Sequence, residues 1–155
     1  MRVGTKGRYA VVAMVDIVRN SQKGPVALGE VAQRQQISLS YLEQLFAMLR
    51  RAGLVVASRG PGGGYRIQRP AAEIALVDVF RAVEDGSSQS EGGRNWAGGP
   101  GANLWAELDE HIAGFLERRT LAEAAMEAAE PSRAASNGIA TPRKQPGLSA
   151  DVKLA

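Results

Sequence analysis

The sequence contains no cysteine. That excludes a disulfide scaffold, a thiolate nucleophile, a thiolate zinc finger and any all-cysteine iron–sulfur site. Aromatic residues make up only 5% of the 155 positions, so a core must be built from Leu, Val, Ile, Ala and Met, for which a hydrophobic content of 45% is sufficient. Long apolar runs are missing as well. The longest near the start, Tyr9–Val15, stops at Asp16 and falls well short of the roughly 20 residues that span a bilayer. No secretory core follows Met1–Arg2. These absences predict a soluble, cytoplasmic protein with no membrane contact. Histidine is nearly absent too: His111 is the one in the chain, beside Asp109, Glu110 and Ile112, and reads as a surface or interface residue. No Ser/His/Asp order, metal-ligand spacing or carboxylate dyad stands out, so no enzyme is expected.

The charge is unevenly placed. Residues 1–86 hold 12 Lys/Arg against 7 Asp/Glu, residues 87–129 hold 3 against 7, and residues 130–155 hold 4 against 2. Within 38–69, Arg50, Arg51, Arg59, Arg66 and Arg69 face only Glu43. Concentrated cations suit a polyanionic partner, although a solvated basic face would look the same on charge alone.

The apolar spacing predicts a helix over 5–20 with Thr5 as its cap, a turn at 21–25, and a short helix over 28–35. After the connection 36–38, Ser38 or Ser40 caps a helix running to about Ala52. Its Leu42, Leu45, Phe46 and Leu49 form one stripe, and Gly53 ends it. Two strand-like runs, 54–58 and 65–68, flank Arg59-Gly60-Pro61-Gly62-Gly63-Gly64 as a hairpin with a glycine-rich tip. A helix follows over 76–84. Residues 85–103, with six glycines, read as a loop. A long amphipathic helix over 104–119 precedes a short helix whose Thr120 and Glu123 have capping-box spacing. From Glu130 the composition predicts a disordered tail. The expected units are therefore 1–85, 86–103, 104–129 and 130–155.

Helix, tight connection, capped helix and basic hairpin, in that order, describe a winged helix-turn-helix: a mainly α fold with a small β-hairpin wing, extended by a long dimerisation helix. The stripe of Leu42, Leu45 and Leu49 fixes the second helix on the core and leaves its first turn free for a major groove. Ser38, Ser40, Tyr41, Glu43 and Gln44 are the candidates there. Ser and Gln can donate and accept at base edges, and Glu accepts from a cytosine amino group. The near-bare tip Gly60, Pro61, Gly62, Gly63 and Gly64 permits close backbone approach, and Arg59 at its base suits a minor groove. Lys6, Arg8, Arg50, Arg66 and Arg69 are candidates for phosphates. A nucleotide-cradling loop is a poor alternative, because the Gly-Lys-Ser/Thr ending is missing; a merely flexible hairpin tip is the stronger one.

The apolar stripe Leu104, Leu108, Ile112, Phe115 and Leu116, with Trp105 beside it, either packs on its own domain or pairs with a second copy. Pairing is favoured, because a small domain offers little surface to cover it. Two copies would then read a pseudo-palindromic operator in double-stranded DNA. A winged domain that binds proteins and not DNA is the alternative.

Ser38-Leu39-Ser40-Tyr41-Leu42-Glu43-Gln44-Leu45-Phe46 and Arg59-Gly60-Pro61-Gly62-Gly63-Gly64-Tyr65 closely resemble the IscR-type regulators of iron–sulfur cluster assembly. Thr5-Lys6-Gly7-Arg8-Tyr9-Ala10 and Asp151-Val152-Lys153-Leu154 resemble the two ends of that family. The resemblance implies a homodimeric transcription factor, often a repressor of its own cluster-assembly operon. It implies DNA contacts from Ser40, Glu43, Gln44, Arg59 and the wing glycines, with Glu43 helping to sort two classes of site. Members that hold a [2Fe–2S] cluster use three cysteines and a histidine in the loop before the long helix. Here the matching positions fall near Ser87, Gly93, Gly99 and Ala102, none a credible iron ligand. No cofactor is therefore expected. A [2Fe–2S] cluster would need other ligands, for which Glu84, Asp85, Glu91 and His111 are the candidates, and hard oxygen donors suit a soft sulfide cluster poorly. The same family fold could also serve a different signal.

Overall fold

Helix α1 (Thr5–Asn20) is the central element of the computed structural model, which describes residues 3–84 and 99–129. Ala10, Ala13, Met14 and Ile17 recur at helical spacing along it and are fully buried. Its N-cap is Gly4, not Thr5 as the sequence predicts. The Gly4 carbonyl already accepts the Arg8 N–H at 3.3 Å, so Thr5 lies inside the first turn.

Helix α2 (Leu28–Gln35) buries Leu28 and Val31, then stops at Gln36, whose left-handed backbone (φ 54, ψ 41) turns the chain sharply. Ile37 plugs into the core and donates its N–H to the Ala32 carbonyl at 3.2 Å. Helix α3 (Leu39–Arg51) starts at Ser38, the cap among the two candidates, whose hydroxyl accepts from Tyr41 N–H at 3.4 Å. Leu42, Leu45, Phe46 and Leu49 are buried beneath it. Gly53, at φ 70, lets the Leu54 N–H reach back to the Leu49 carbonyl at 3.0 Å.

Strands β1 (Val55–Ser58) and β2 (Gly64–Ile67) pair antiparallel, with Val55 opposite Ile67 and Ser58 opposite Gly64. Helices α4 (Leu76–Glu84) and α6 (Leu121–Glu127) both pack on α1. Thr120 and Glu123 form the capping box at the start of α6. Leu76 N–H bonds the Arg119 carbonyl and Leu121 N–H the Ile74 carbonyl, both at 2.8 Å, so the chain returns to the winged domain after α5 (Ala102–Arg118). Helix α5 begins two residues before the predicted Leu104, because left-handed Gly101 (φ 83) is its cap. The expectations for the rest of the 86–103 loop and for the 130–155 tail lie outside the described residues.

The predicted stripe of α5 divides. Leu116 is buried and Ile112 half-buried against Val77 and Phe80 of α4, so these two do not face outward as expected. Leu104, Trp105, Leu108 and Phe115 remain 46–62% exposed. At 100° per residue the stripe is roughly 120° wide; Leu116 sits at one edge, toward α4, while Leu104 and Phe115 sit at the other.

One buried carboxylate ties α1 to α2. Asp16 is 4% exposed and accepts from Arg34 Nη2 at 2.6 Å, Arg34 Nε at 3.0 Å, Gln35 Nε2 at 2.7 Å and Asn20 Nδ2 at 3.3 Å. Burial alone would raise its pKa, but those hydrogen bonds and the Arg34 charge outweigh it and hold the carboxyl below its ordinary value of 3.8. The folded state therefore gains from the ionised form. That gain is complete above the unfolded value and is lost as pH falls through the lower folded one. Asp16→Asn should cost about 1–3 kcal/mol at neutral pH. Denaturant titrations near pH 7 and near pH 2 check it: the gap between the two proteins should close at the acid end. An undiminished gap in acid would contradict the assignment.

Candidate nucleic-acid interface

The outer face of α3 is built by the burial of its inner one. With Leu42, Leu45, Phe46 and Leu49 against the core, helical geometry turns Ser40, Glu43, Gln44 and Arg50 outward, and all four are exposed. Arg51 joins this face and was not among the predicted contacts. Ser38 is exposed at the cap, 3.2 Å from the Ser40 hydroxyl. Its oxygen also serves the Tyr41 N–H, so it orders the first turn as well as bordering the groove-facing surface.

Tyr41 departs from its predicted place among the free side chains. It is half-buried, and its ring meets Tyr9 edge-on at 5.7 Å and 85°. Burial first, then the charge of Glu84 and the neighbouring Tyr9, push its hydroxyl above the ordinary value. This pair joins the start of α3 to the start of α1, so Lys6 and Arg8 lie in the same neighbourhood as the α3 first turn. Tyr65 also packs inward, edge-on against Phe46 at 4.9 Å.

The glycine-rich tip splits into two functions. Gly60 (φ 93) and Gly62 (φ 74) adopt left-handed backbone, and Gly63 N–H closes the turn onto the Gly60 carbonyl at 2.9 Å. Gly60, Pro61 and Gly62 are exposed, as is Arg59 at the base. Gly63 and Gly64, predicted with the tip as part of the approaching surface, are half-buried at its base. A Cβ on Gly63 would lie 2.8 Å from the Gly60 carbonyl oxygen, and one on Gly64 2.8 Å from Ala27 N. Gly63 is crowded by its own turn, whereas Gly64 is crowded by a two-residue bridge unseen in the sequence: Val26 and Tyr65 exchange backbone hydrogen bonds of 2.9 and 2.8 Å, pinning the wing to the entrance of α2. Arg66 projects from β2 and is exposed, as is Arg69 beyond it.

A family model described as an iron-dependent transcriptional regulator, Rrf2, matches residues 3–127. The chain belongs to the Rrf2 family. It is 49% identical over 128 residues to the HTH-type transcriptional regulator IscR of Serratia proteamaculans, covering 79% of this chain and 78% of that one. Among solved structures, the IscR of T. potens is 35% identical with a TM-score of 0.67, covering 85% of this chain and 93% of the other. CymR of B. subtilis, described as its global cysteine regulator, is 32% identical with a TM-score of 0.66, covering 81% and 97%. The Rrf2 chain described here is thus a winged-helix, DNA-binding transcriptional regulator and not an enzyme.

Of the side chains considered as iron ligands, the two that are described, Glu84 and His111, each have a hydrogen-bond partner elsewhere. Glu84 accepts a hydrogen bond from Gly7 N–H at 3.0 Å, at the start of α1. His111 lies exposed on α5, its Nδ1 2.8 Å from the Glu107 carbonyl. Asp85 and Glu91 lie outside the described residues. Gly99 and Ala102, two of the four positions that match the family's cluster ligands, carry no donor side chain. The described residues that match the ligand positions do not fit a [2Fe–2S] cluster. Among the described residues no helix is long and apolar enough to cross a membrane.

Proposed function

We propose that this Rrf2 chain is a cytoplasmic homodimeric repressor of iron–sulfur cluster-assembly and iron-responsive genes, acting on a pseudo-palindromic operator. The observation that carries it is the division of labour between two exposed elements of the winged domain. Helix α3 offers Ser40, Glu43 and Gln44 for base edges, and the wing offers Arg59 behind a tip whose outermost residues have almost no side chains. The exposed Leu104, Trp105, Leu108 and Phe115 support the pairing of two copies through α5. Paired recognition helices would enter major grooves about one helical turn, or a multiple of it, apart. Lys6, Arg8, Arg50 and Arg66 supply phosphate contacts that set register without reading sequence.

The donor chemistry supports a regulator that works without a cysteine-held cluster, as an apo dimer governed by its abundance or by another signal. Anaerobic purification with visible spectroscopy and iron analysis tests this. A colourless, iron-free protein that still protects its operator is expected, and a coloured, iron-loaded protein would overturn it. A genome-wide map of bound sites tests the target genes.

Two side chains should separate sequence reading from charge. Arg59→Ala should weaken binding to the preferred site by about 1–3 kcal/mol and weaken random-sequence binding less. Glu43→Ala should broaden the set of bound sequences. Competition binding against a panel of duplexes measures both; equal losses on every duplex would reduce Arg59 to a phosphate contact, and unchanged selectivity would remove Glu43 from the reading set.

A further inference from the structure

Helix α1 starts without any of the devices that usually stabilise a helix N-terminus. Its N-cap is glycine, no side-chain cap is made there, and no acidic residue lies in its first turn, while Lys6 and Arg8 place two cations at the positive end of the helix dipole. The missing acceptor comes from 77 positions further along the chain. Glu84 Oε1, at the last residue of α4, accepts the Gly7 N–H at 3.0 Å.

The approach is made possible by two glycines. A Cβ on Gly4 would lie 3.0 Å from Glu84 Oε2, and one on Gly7 would overlap the Phe80 ring. Gly4 and Gly7 therefore let α4 sit directly against the α1 start, and Phe80 and Glu84, four residues apart on one face of α4, fill that space together. We propose that Glu84 is a positioning residue for DNA binding: by capping α1 in place of a local cap, it holds the turn that carries Lys6 and Arg8 in register with the first turn of α3. The Tyr9–Tyr41 contact at 5.7 Å is the mechanical link between the two turns. Glu84 also lies three residues before Ser87, the first of the positions that match the family's cluster ligands.

This inference rests on the reading that Lys6 and Arg8 meet phosphates, and the experiment separates the two. Affinity for a random-sequence duplex of about 30 base pairs is measured across a salt series, where each lost phosphate contact lowers the slope of log K against log salt by about 0.9. Lys6→Ala with Arg8→Ala should lower the slope by nearly 2. Glu84→Ala should weaken binding about tenfold at low salt and lower the slope by one to two contacts, whereas Glu84→Gln, which keeps an acceptor, should stay within about threefold. Gly4→Ser in the Glu84→Ala background supplies a local N-cap hydroxyl where the departed carboxylate leaves room, and should restore slope and affinity. In the Lys6→Ala, Arg8→Ala background, Glu84→Ala should change nothing further.

A slope unaltered by Glu84→Ala, while the Lys6 and Arg8 substitutions lower it, would overturn the role of Glu84 alone. An unaltered slope after the Lys6 and Arg8 substitutions would overturn the phosphate contacts and the positioning built on them. Should Glu84→Ala fail to fold, the other two variants decide: failure of Gly4→Ser to rescue binding in a folded protein, or a loss in Glu84→Gln as large as tenfold, would contradict the capping role.

Discussion

In the proposed homodimer, Leu108→Glu combined with Phe115→Glu should separate the two copies into folded monomers and lower affinity for a two-half-site operator by about 10²–10³. Leu108 is 46% and Phe115 54% exposed, on the part of α5 that α4 leaves uncovered. Two carboxylates on this strip would face their own copies across a self-complementary interface, where burial makes like charges costly. The loss on DNA follows from linkage: once one half is bound, the second half binds at an effective concentration far above the free one, and a monomer forfeits that gain. Because Ile112 and Leu116 hold α5 to α4 through the other edge of the stripe, each monomer should keep its fold. Sedimentation velocity beside binding to whole and half operators measures both effects. A dimer that survives the double substitution would move the pairing surface elsewhere.

Gly64→Ala should destabilise the chain by about 3 kcal/mol and uncouple the wing from α2. The added methyl would press on the carbonyl oxygen and carbon of Val26 and lie 2.8 Å from Ala27 N. All three are atoms of the Val26–Ala27 peptide, whose carbonyl accepts from Tyr65 N–H in the bridge, so relief requires the strand to move and the bridge hydrogen bonds to lengthen. A displaced wing carries Arg59 away from the plane set by α3, so binding should fall at least tenfold even where the protein is folded. Gly62→Ala is the contrast. Its position is exposed with nothing within 4 Å, so only the left-handed backbone (φ 74) is strained, and the cost should be about 1 kcal/mol. Thermal melting and DNA titration of the two variants check the difference; equal effects would mean that the Val26 bridge does not hold the wing.

Helical periodicity made most elements legible in the sequence. The bounds of α2 and α4 agree with their predicted ranges, because a buried stripe at 3.6-residue spacing carries its own phase. The helix-turn-helix was readable for the same reason: Leu42, Leu45, Phe46 and Leu49 leave a single face for Ser40, Glu43 and Gln44. What stayed hidden depends on distant pairs. The Asp16 network with Arg34, the Val26–Tyr65 bridge and the Glu84 cap join residues far apart in sequence, and no local spacing encodes them. Two signals were nevertheless present. A first turn of α1 that carries Lys6 and Arg8 and no acid calls for a donated acceptor, and five apolar positions plus Trp105 on a helix beside a small domain are more than one neighbour covers. The splitting of that stripe into Ile112 and Leu116 inward and Leu104, Trp105, Leu108 and Phe115 outward required the position of α4.

In the proposed assembly, two copies present α3 and the wing to one duplex. Selection of bound sequences from a random duplex pool, followed by a hydroxyl-radical footprint of the winner, tests it most directly. The expected outcome is an inverted repeat whose half-sites are centred about 10 base pairs, or a multiple of that, apart, with symmetric protection in both grooves. An unsymmetric single site, or no enriched sequence at all, would contradict it.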